Sequence, residues 1–305
     1  MTNKQTSLFR RKLHERTIKY FFFACAATSI VVLFFIAIFL FHEGVGVFRV
    51  VEITDFLSGR RWAPARVQPI LGILPMLLGS LFVTVGAMIV AVPLGLSAAV
   101  YIAEIAPPKI KNPIKSAIEL LAGIPSVVYG FIGLVFLVPW LQETFNLPTG
   151  FTALTGSLLL GVMAVPIIAS ISEDAIYAVP RDFREASYAL GATKWQTITR
   201  AVLPASISGI SAAIILGGMS RVIGETMTVL MVTGNAPIIP DSICSFLRPV
   251  RTMTASVALE MGEAAKGGIH YSALFAIGLV LFTITFLLNL IADFILHRYK
   301  EAQKR

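Results

Sequence analysis

An all-α integral membrane protein with six transmembrane helices is what this sequence predicts, on three observations. Hydrophobic residues fill 56% of the 305 positions and charged ones only 14%, with a mean hydropathy of +0.80, too apolar for a soluble chain of this length. Uncharged runs recur that can cross a hydrocarbon core of roughly 30 Å. Lys and Arg concentrate in alternate loops, the bias that orients membrane helices.

The elements follow in order. Tyr20–Phe41 is an uncharged run of 22 residues. A cleaved leader is the competing reading, with Arg10, Arg11 and Lys12 as its basic region, but a leader's apolar stretch runs only about 7 to 15 residues, so a retained first span is expected. Val67–Ala103 is too short for two spans and a turn, and Pro69 and Pro75 make its start a surface segment, so it counts once. Leu120–Gln142, Asn146–Ser172 and Tyr271–Ala292 are further spans, and another runs from Ile207 past Arg221 and Glu225 to about Val232. The outer segment 233–270 is long for a connection, and a short helix is expected near 255–265. The resulting division is a basic tail (1–19), a first span (20–41), an outer loop (42–69), a five-helix body (70–296) holding a loop at 173–204, and a short tail (297–305).

Six spans place both ends on one side. Seventeen Lys and Arg lie in the tails and loops of that side, seven on the other, and Arg221 within a span. The loop at 173–204 and both termini are therefore expected to be cytoplasmic, and the net charge of +8 needs no nucleic acid to explain it. Trp62, Tyr101 and Trp140 sit near span boundaries, as interfacial anchors do. Cys25 and Cys244 are too far apart in topology to bridge, and no metal-ligand spacing occurs. With no Gly-Lys-Ser/Thr phosphate loop the chain is not its own ATPase by that route, so a non-catalytic chain without a cofactor of its own is expected.

Two places carry function. Glu185–Pro204 is a polar helix-turn-helix between two spans. Asp182 is placed to cap its first helix with Glu185 at the third position, Thr193 its second with Gln196 there, and Gly191 to supply the left-handed residue between them. Phe183, Ala186, Ser187 and Leu190 share one face, a shape suited to close docking of another protein. A DNA-reading hairpin is the alternative from these residues alone; confinement between membrane spans argues against it. The second place is Arg221 and Glu225, each costing about 2.5 to 3.5 kcal/mol at a span's centre. At i and i+4 they are spaced either to neutralise one another or to offer an oxyanion a guanidinium, with Glu225 holding Arg221 when the path is empty. Counted from Ile207 at 1.5 Å per residue, Arg221 lies about 21 Å and Glu225 about 27 Å along the helix, in the outer half. Pro125-Ser126 either kinks the third span against Gly123 and Gly130 or interrupts it and turns the Ser126 hydroxyl toward a pore. Glu119, one turn from Lys115, is expected to pair with it in solvent.

The hairpin resembles the coupling loop of ATP-binding-cassette importer permeases at Glu185, Ala186, Gly191, Leu203 and Pro204, with Ser187 where the family has a second Ala and Ala201 in its aliphatic position. Ser220-Arg221-Val222-Ile223-Gly224-Glu225-Thr226-Met227 is similar to a motif of phosphate-specific importer permeases, and FLSGRRWAP (56–64), LAGIPSVVYG (121–130) and PVRTMTASVALEMG (249–262) resemble their C-type subunit. This resemblance implies a type I permease fold with cytoplasmic coupling helices in the bacterial inner membrane. It further implies an A-type permease as heterodimer partner, two ATP-binding subunits carrying ATP and Mg, and a periplasmic phosphate-binding protein. Glu185, Ala186, Ser187, Gly191, Leu203 and Pro204 would couple to the ATPase, and Arg221, Glu225 and Ser126 would line the path. The rivals are a permease for another oxyanion such as phosphonate, molybdate or sulfate, an ion-coupled transporter using Glu225 as a proton site, and a membrane-tethered DNA sensor.

Overall fold

The computed structural model describes the backbone of residues 3–302 and the side chains of 15–295. Most of the expected tails 1–19 and 297–305 lies outside the described side chains. Among the described residues six helices are long and apolar enough to cross a membrane: Glu15–Arg49, Leu74–Ile105, Ser126–Thr144, Ala153–Tyr177, Lys194–Ile223 and Ile269–Ile295. They match the six expected spans, with two shifts that matter below.

Helix α1 (Asn3–Val45) runs on through the expected boundaries of the first span and ends in a 3-10 turn, Gly46–Arg49. A short α2 (Ile53–Ser58) leads to strand β1 (Trp62–Ala63), antiparallel to β2 (Ile70–Leu71). Gly59 and Gly72 meet there backbone to backbone, and a Cβ on either would stand within 2.6 Å of the other. This close approach explains the glycine of the FLSGRRWAP run. Helix α3 (Leu74–Val100) opens with Pro75 in its first turn, where a missing N–H costs nothing, and continues as a wide turn through Ile105.

Helix α4 (Pro108–Ala122) stops at Gly123, and the chain restarts as α5 (Ser126–Ile132), a wide turn and α6 (Val138–Thr144). Pro125 thus interrupts the third span rather than kinking it. Its ψ of 139° takes the backbone out of the helix, and the Tyr129 hydroxyl donates to the Leu121 carbonyl across the gap at 3.0 Å. Helix α7 (Ala153–Tyr177) is capped by the Thr152 hydroxyl and packs along α3 through small residues, Ala87, Ala91 and Gly95 on α3 and Gly161 and Ala164 on α7, with Ile168 seated on Gly95. Small residues let two backbones approach, the main source of attraction where lipid removes the hydrophobic difference.

After the short α8 (Arg181–Ala189), α9 (Lys194–Thr197), α10 (Leu203–Ala212) and α11 (Ser220–Ile223) join through wide turns into one 30-residue helix. The fifth span therefore begins at Lys194, not Ile207, and the hairpin's second helix is the base of that span. Pro204 is tolerated because it falls in the first turn of α10, directly after the wide turn Ile198–Val202, where a missing N–H costs little. The helix ends at Gly224, and α12 (Met227–Val232) follows.

The expected outer helix is α13 (Met253–Glu260), and α14 (Ile269–Ala302) closes the chain with α1 packed along it, Phe39 edge-on to Phe275. Trp62 departs from the sequence reading. It is 8% exposed, and its indole N–H donates to Glu260 at 2.9 Å. Glu260 also receives Arg251 and His270, so one carboxylate gathers groups from β1, α14 and the segment before α13. Tyr101 and Trp140 are exposed at span ends, as expected of anchors.

Candidate functional site

The two interruptions lie at one depth. Lys111 stands over the Tyr177 ring, Lys115 pairs with Glu173 at 2.6 Å, and Ile118 and Glu119 share a crevice with Ala169 and Ser170. Helix α4 thus ascends α7 one residue for one, and Gly123–Pro125 falls opposite about residue 164, near the middle of α7. On the fifth helix Gly209 abuts Ala175, and Gly217 abuts Ile167. The same register carries Arg221 opposite about residue 163. Arg221 is therefore level with the middle of the fourth span, and because its helix starts at Lys194 its height is read from that neighbour rather than counted from Ile207.

Thr228 joins the breaks. Its hydroxyl donates to the Ser126 carbonyl at 3.1 Å, and its N–H points to Glu225 Oε1 at 3.4 Å. The Thr254 hydroxyl donates to the Glu225 carbonyl at 2.8 Å, fastening the turn from outside. A Cβ on Gly130 would meet Met231 Sδ at 2.8 Å and Thr228 Cα at 3.3 Å, so glycine allows α5 and α12 to close here. Ser126 and Glu225, 99 residues apart in sequence, are one residue away from each other through Thr228. The group Ser126 contributes to this junction is its carbonyl.

Arg221 and Glu225 form no ion pair, and Arg221 makes no hydrogen bond with any described residue. The i to i+4 pairing presumed a helix that continues, whereas Gly224 ends it and turns Glu225 toward Thr228. Arg221 is exposed on the surface of the chain and Glu225 half-buried. A guanidinium at this depth has to face protein or a water-filled path. Its planar fork and permanent charge suit an oxyanion, and Glu225 stands four residues on as a carboxylate engaged, among the described residues, only by the Thr228 N–H.

The hairpin lies at the other end of the fifth helix. Thr193 and Gln196 form the expected capping box, and Gly191 has φ +80°. Asp182 is not a cap. Helix α8 begins directly after Pro180, whose extended ψ of 145° makes it the boundary residue, and Asp182 lies inside the first turn, where its charge favours the helix dipole. Glu185, Ala186, Phe183 and Leu190 are exposed, but Ser187 turns inward to hydrogen-bond Thr197 at 2.9 Å. Leu203 is half-buried in the cluster of Val100, Ile176, Val179 and Val202 beneath the hairpin, and Pro204 is exposed.

Two features went unread in the sequence. Arg184 enters the protein and binds Glu104 together with the carbonyls of Ile176 and Val179. Lys115 pairs with Glu173 and Asp174 instead of Glu119, since α7 presents Glu173, 4% exposed, directly to α4 while Glu119 remains exposed. No local spacing signals the Arg184–Glu104 or the Lys115–Glu173 pair, whose partners are 80 and 58 residues apart.

Comparison with known proteins adds the family. Residues 91–301 match the family described as binding-protein-dependent transport system inner membrane component. The chain is similar to the probable ABC transporter permease protein YqgH of Bacillus subtilis, 40% identical over 292 residues, 95% of this chain and 93% of that protein. It is also similar to the phosphate transport system permease protein PstC of Mesorhizobium japonicum, 36% identical over 263 residues, 80% of this chain and 78% of that one. Among solved structures, a bacterial alginate ABC transporter in complex with an alginate pentasaccharide-bound periplasmic protein superposes with a TM-score of 0.59 at 14% identity, covering 90% of this chain and 94% of that one. The MetNI methionine ABC transporter gives 0.54 at 19%, covering 75% and 94%. At these identities the structures speak for the fold alone.

Proposed function

Because the chain belongs to the family of binding-protein-dependent transport system inner membrane components, we propose that it is the C-type permease subunit of an ATP-driven phosphate importer. It is a non-catalytic, multi-pass membrane protein that contributes half of the translocation path; its hairpin answers to an ATPase on another chain. The observation that carries the reading is Arg221. It is a permanent cation level with the middle of the fourth span, without a partner among the described residues, beside the one junction where two interrupted helices meet. Interrupted helices of this kind hold substrate in other transporters. Arg221 faces outward from this chain, so the path runs between it and a second subunit, here the A-type permease.

Phosphate arriving from a periplasmic binding protein exchanges part of its hydration for the Arg221 fork. Glu225, four residues beyond and past the end of the helix, opposes the anion's charge and keeps the site from retaining it. Closure of two ATP-binding subunits, carrying ATP and Mg, moves the hairpin at Glu185, Ala186, Ser187 and Gly191, and Leu203 and Pro204 pass that movement into the fifth helix. Cytoplasmic termini follow from the Lys and Arg asymmetry and agree with a hairpin that meets a cytoplasmic ATPase.

Phosphate uptake in cells, normalised to permease abundance, tests the proposal. Arg221→Gln should abolish uptake, Arg221→Lys should retain only part of it for want of the bidentate fork, and Arg221→Gln with Glu225→Gln should stay inactive. A doubly neutral variant transporting near the parent rate would reduce both residues to structure and sink the proposed site.

A further inference from the structure

We propose that Arg184 is a positioning residue that fastens the coupling hairpin to the second and fourth spans, so that force on the hairpin moves those spans as a body. The inference rests on the reading of this chain as a permease driven through its hairpin.

Arg184 is on α8, one residue before Glu185, yet it faces the other way. Around it Phe183, Glu185, Ala186 and Tyr188 are exposed, whereas the Arg184 side chain is only 19% exposed. Its Nε donates to Glu104 Oε1 at 3.0 Å and its Nη2 to the same oxygen. Nη2 also donates to the Ile176 carbonyl at 3.0 Å and Nη1 to the Val179 carbonyl at 2.7 Å. Glu104, 11% exposed, belongs to the wide turn that ends the second span, and Ile176 and Val179 are at the end of the fourth. The Ile176 carbonyl, in the last turn of α7, receives only short-range backbone N–H groups, as from Val179 at 3.3 Å, and the guanidinium adds a donor together with the charge that the helix end favours; Val179 lies just past that end.

One side chain therefore ties three elements, α8 and the ends of the second and fourth spans, whereas the chain joins α8 directly only to the fourth, through residues 178–180. Ser187, one turn further on the same inward face, bonds Thr197 at the base of the fifth helix. The inward edge of α8 is thus anchored to the spans on both sides, and its outward edge is left for a partner. A lysine lacks the fork to reach carboxylate and carbonyls together, which is the reason the position needs arginine.

The assay is the assembled complex in liposomes, with phosphate uptake and ATP hydrolysis measured in one preparation. For Arg184→Gln, and for the neutral double variant Arg184→Gln with Glu104→Gln, phosphate moved per ATP hydrolysed should fall at least tenfold while ATP hydrolysis stays within about twofold of the parent. The double variant separates positioning from charge balance, because it strands no buried charge. A parental ratio in either variant, or uptake and hydrolysis falling together, would overturn the role. If Arg184→Gln does not assemble, Arg184→Lys is measured the same way; a lowered ratio supports the role and a parental ratio refutes it. A parent complex that hydrolyses ATP but carries no phosphate would reject the substrate reading instead, and the ratio is then read with the anion that complex does carry.

Discussion

Replacing Gly191 with Val isolates the hairpin's turn from everything around it. Gly191 has φ +80°, and a Cβ built there meets nothing within 4 Å, so the substitution creates no clash with the rest of the chain. Its whole cost is local. A left-handed L-residue costs about 1 to 2 kcal/mol, and a β-branched one lies toward about 3 kcal/mol. Opposing it are contacts that contribute about 0.5 to 1.5 kcal/mol apiece: Gly191 N–H to the Tyr188 carbonyl at 2.9 Å, Ala192 N–H to the Ser187 carbonyl at 3.2 Å, and the part-buried bond of Ser187 to Thr197. The strain therefore matches one or two of the contacts that shape the turn, and the α3–α7 core does not feel it. At about 2 kcal/mol the native turn loses population relative to glycine by roughly thirtyfold. Phosphate uptake should fall accordingly at normal membrane abundance, in the order Gly, Asn, Ala, Val, since Asn tolerates the left-handed region best of the three replacements. Uptake normalised to the permease in isolated membranes is the measurement. A Val variant missing from the membrane would make the hairpin a folding element, and one transporting at the parent rate would remove it from coupling.

Two further outcomes follow from single contacts. Glu260→Gln leaves Arg251, 18% exposed, without its counter-charge, and should lower the apparent stability of the purified complex by about 2 to 4 kcal/mol, more than Arg248→Gln, whose pair with Asp241 is exposed. Thermal unfolding in detergent measures both, and equal midpoints would dismiss Glu260 as the centre of the outer segment. Thr228→Val keeps the N–H toward Glu225 but removes the hydroxyl's bond to Ser126, worth about 0.6 kcal/mol for a typical interhelical contact in lipid. Uptake should drop severalfold and return in Thr228→Ser; a Val variant equal to Ser would show that the two breaks need no tie.

Local chemistry was legible and distant pairing was not. The Thr193–Gln196 box and the left-handed Gly191 each depend on residues within a few positions, so spacing alone revealed them. The spans were legible because lipid demands long uncharged runs. Pro125 marked the third span, but what ties its break to the one after Gly224 is a hydroxyl 102 residues away. Trp62 near a span boundary has the same hydropathy whether it anchors in the interface or is buried, and the carboxylate that receives it is 198 residues on. Arg221 with Glu225, and Lys115 with Glu119, are the instructive failures. Both were paired by helical spacing; one helix ended between the partners, and in the other case a nearer carboxylate waited on the facing helix.

The continuity of the fifth helix has a mechanical consequence. From Lys194 to Arg221 is about 40 Å of helix at 1.5 Å per residue, so the rod is a lever whose short end is the hairpin. A tilt of about 5° about its base displaces the guanidinium by about 3.5 Å, well beyond the few tenths of an ångström over which a hydrogen bond keeps its strength. On the proposed reading, releasing an anion from Arg221 calls for no large rearrangement of the body, only a small angle applied at the hairpin end.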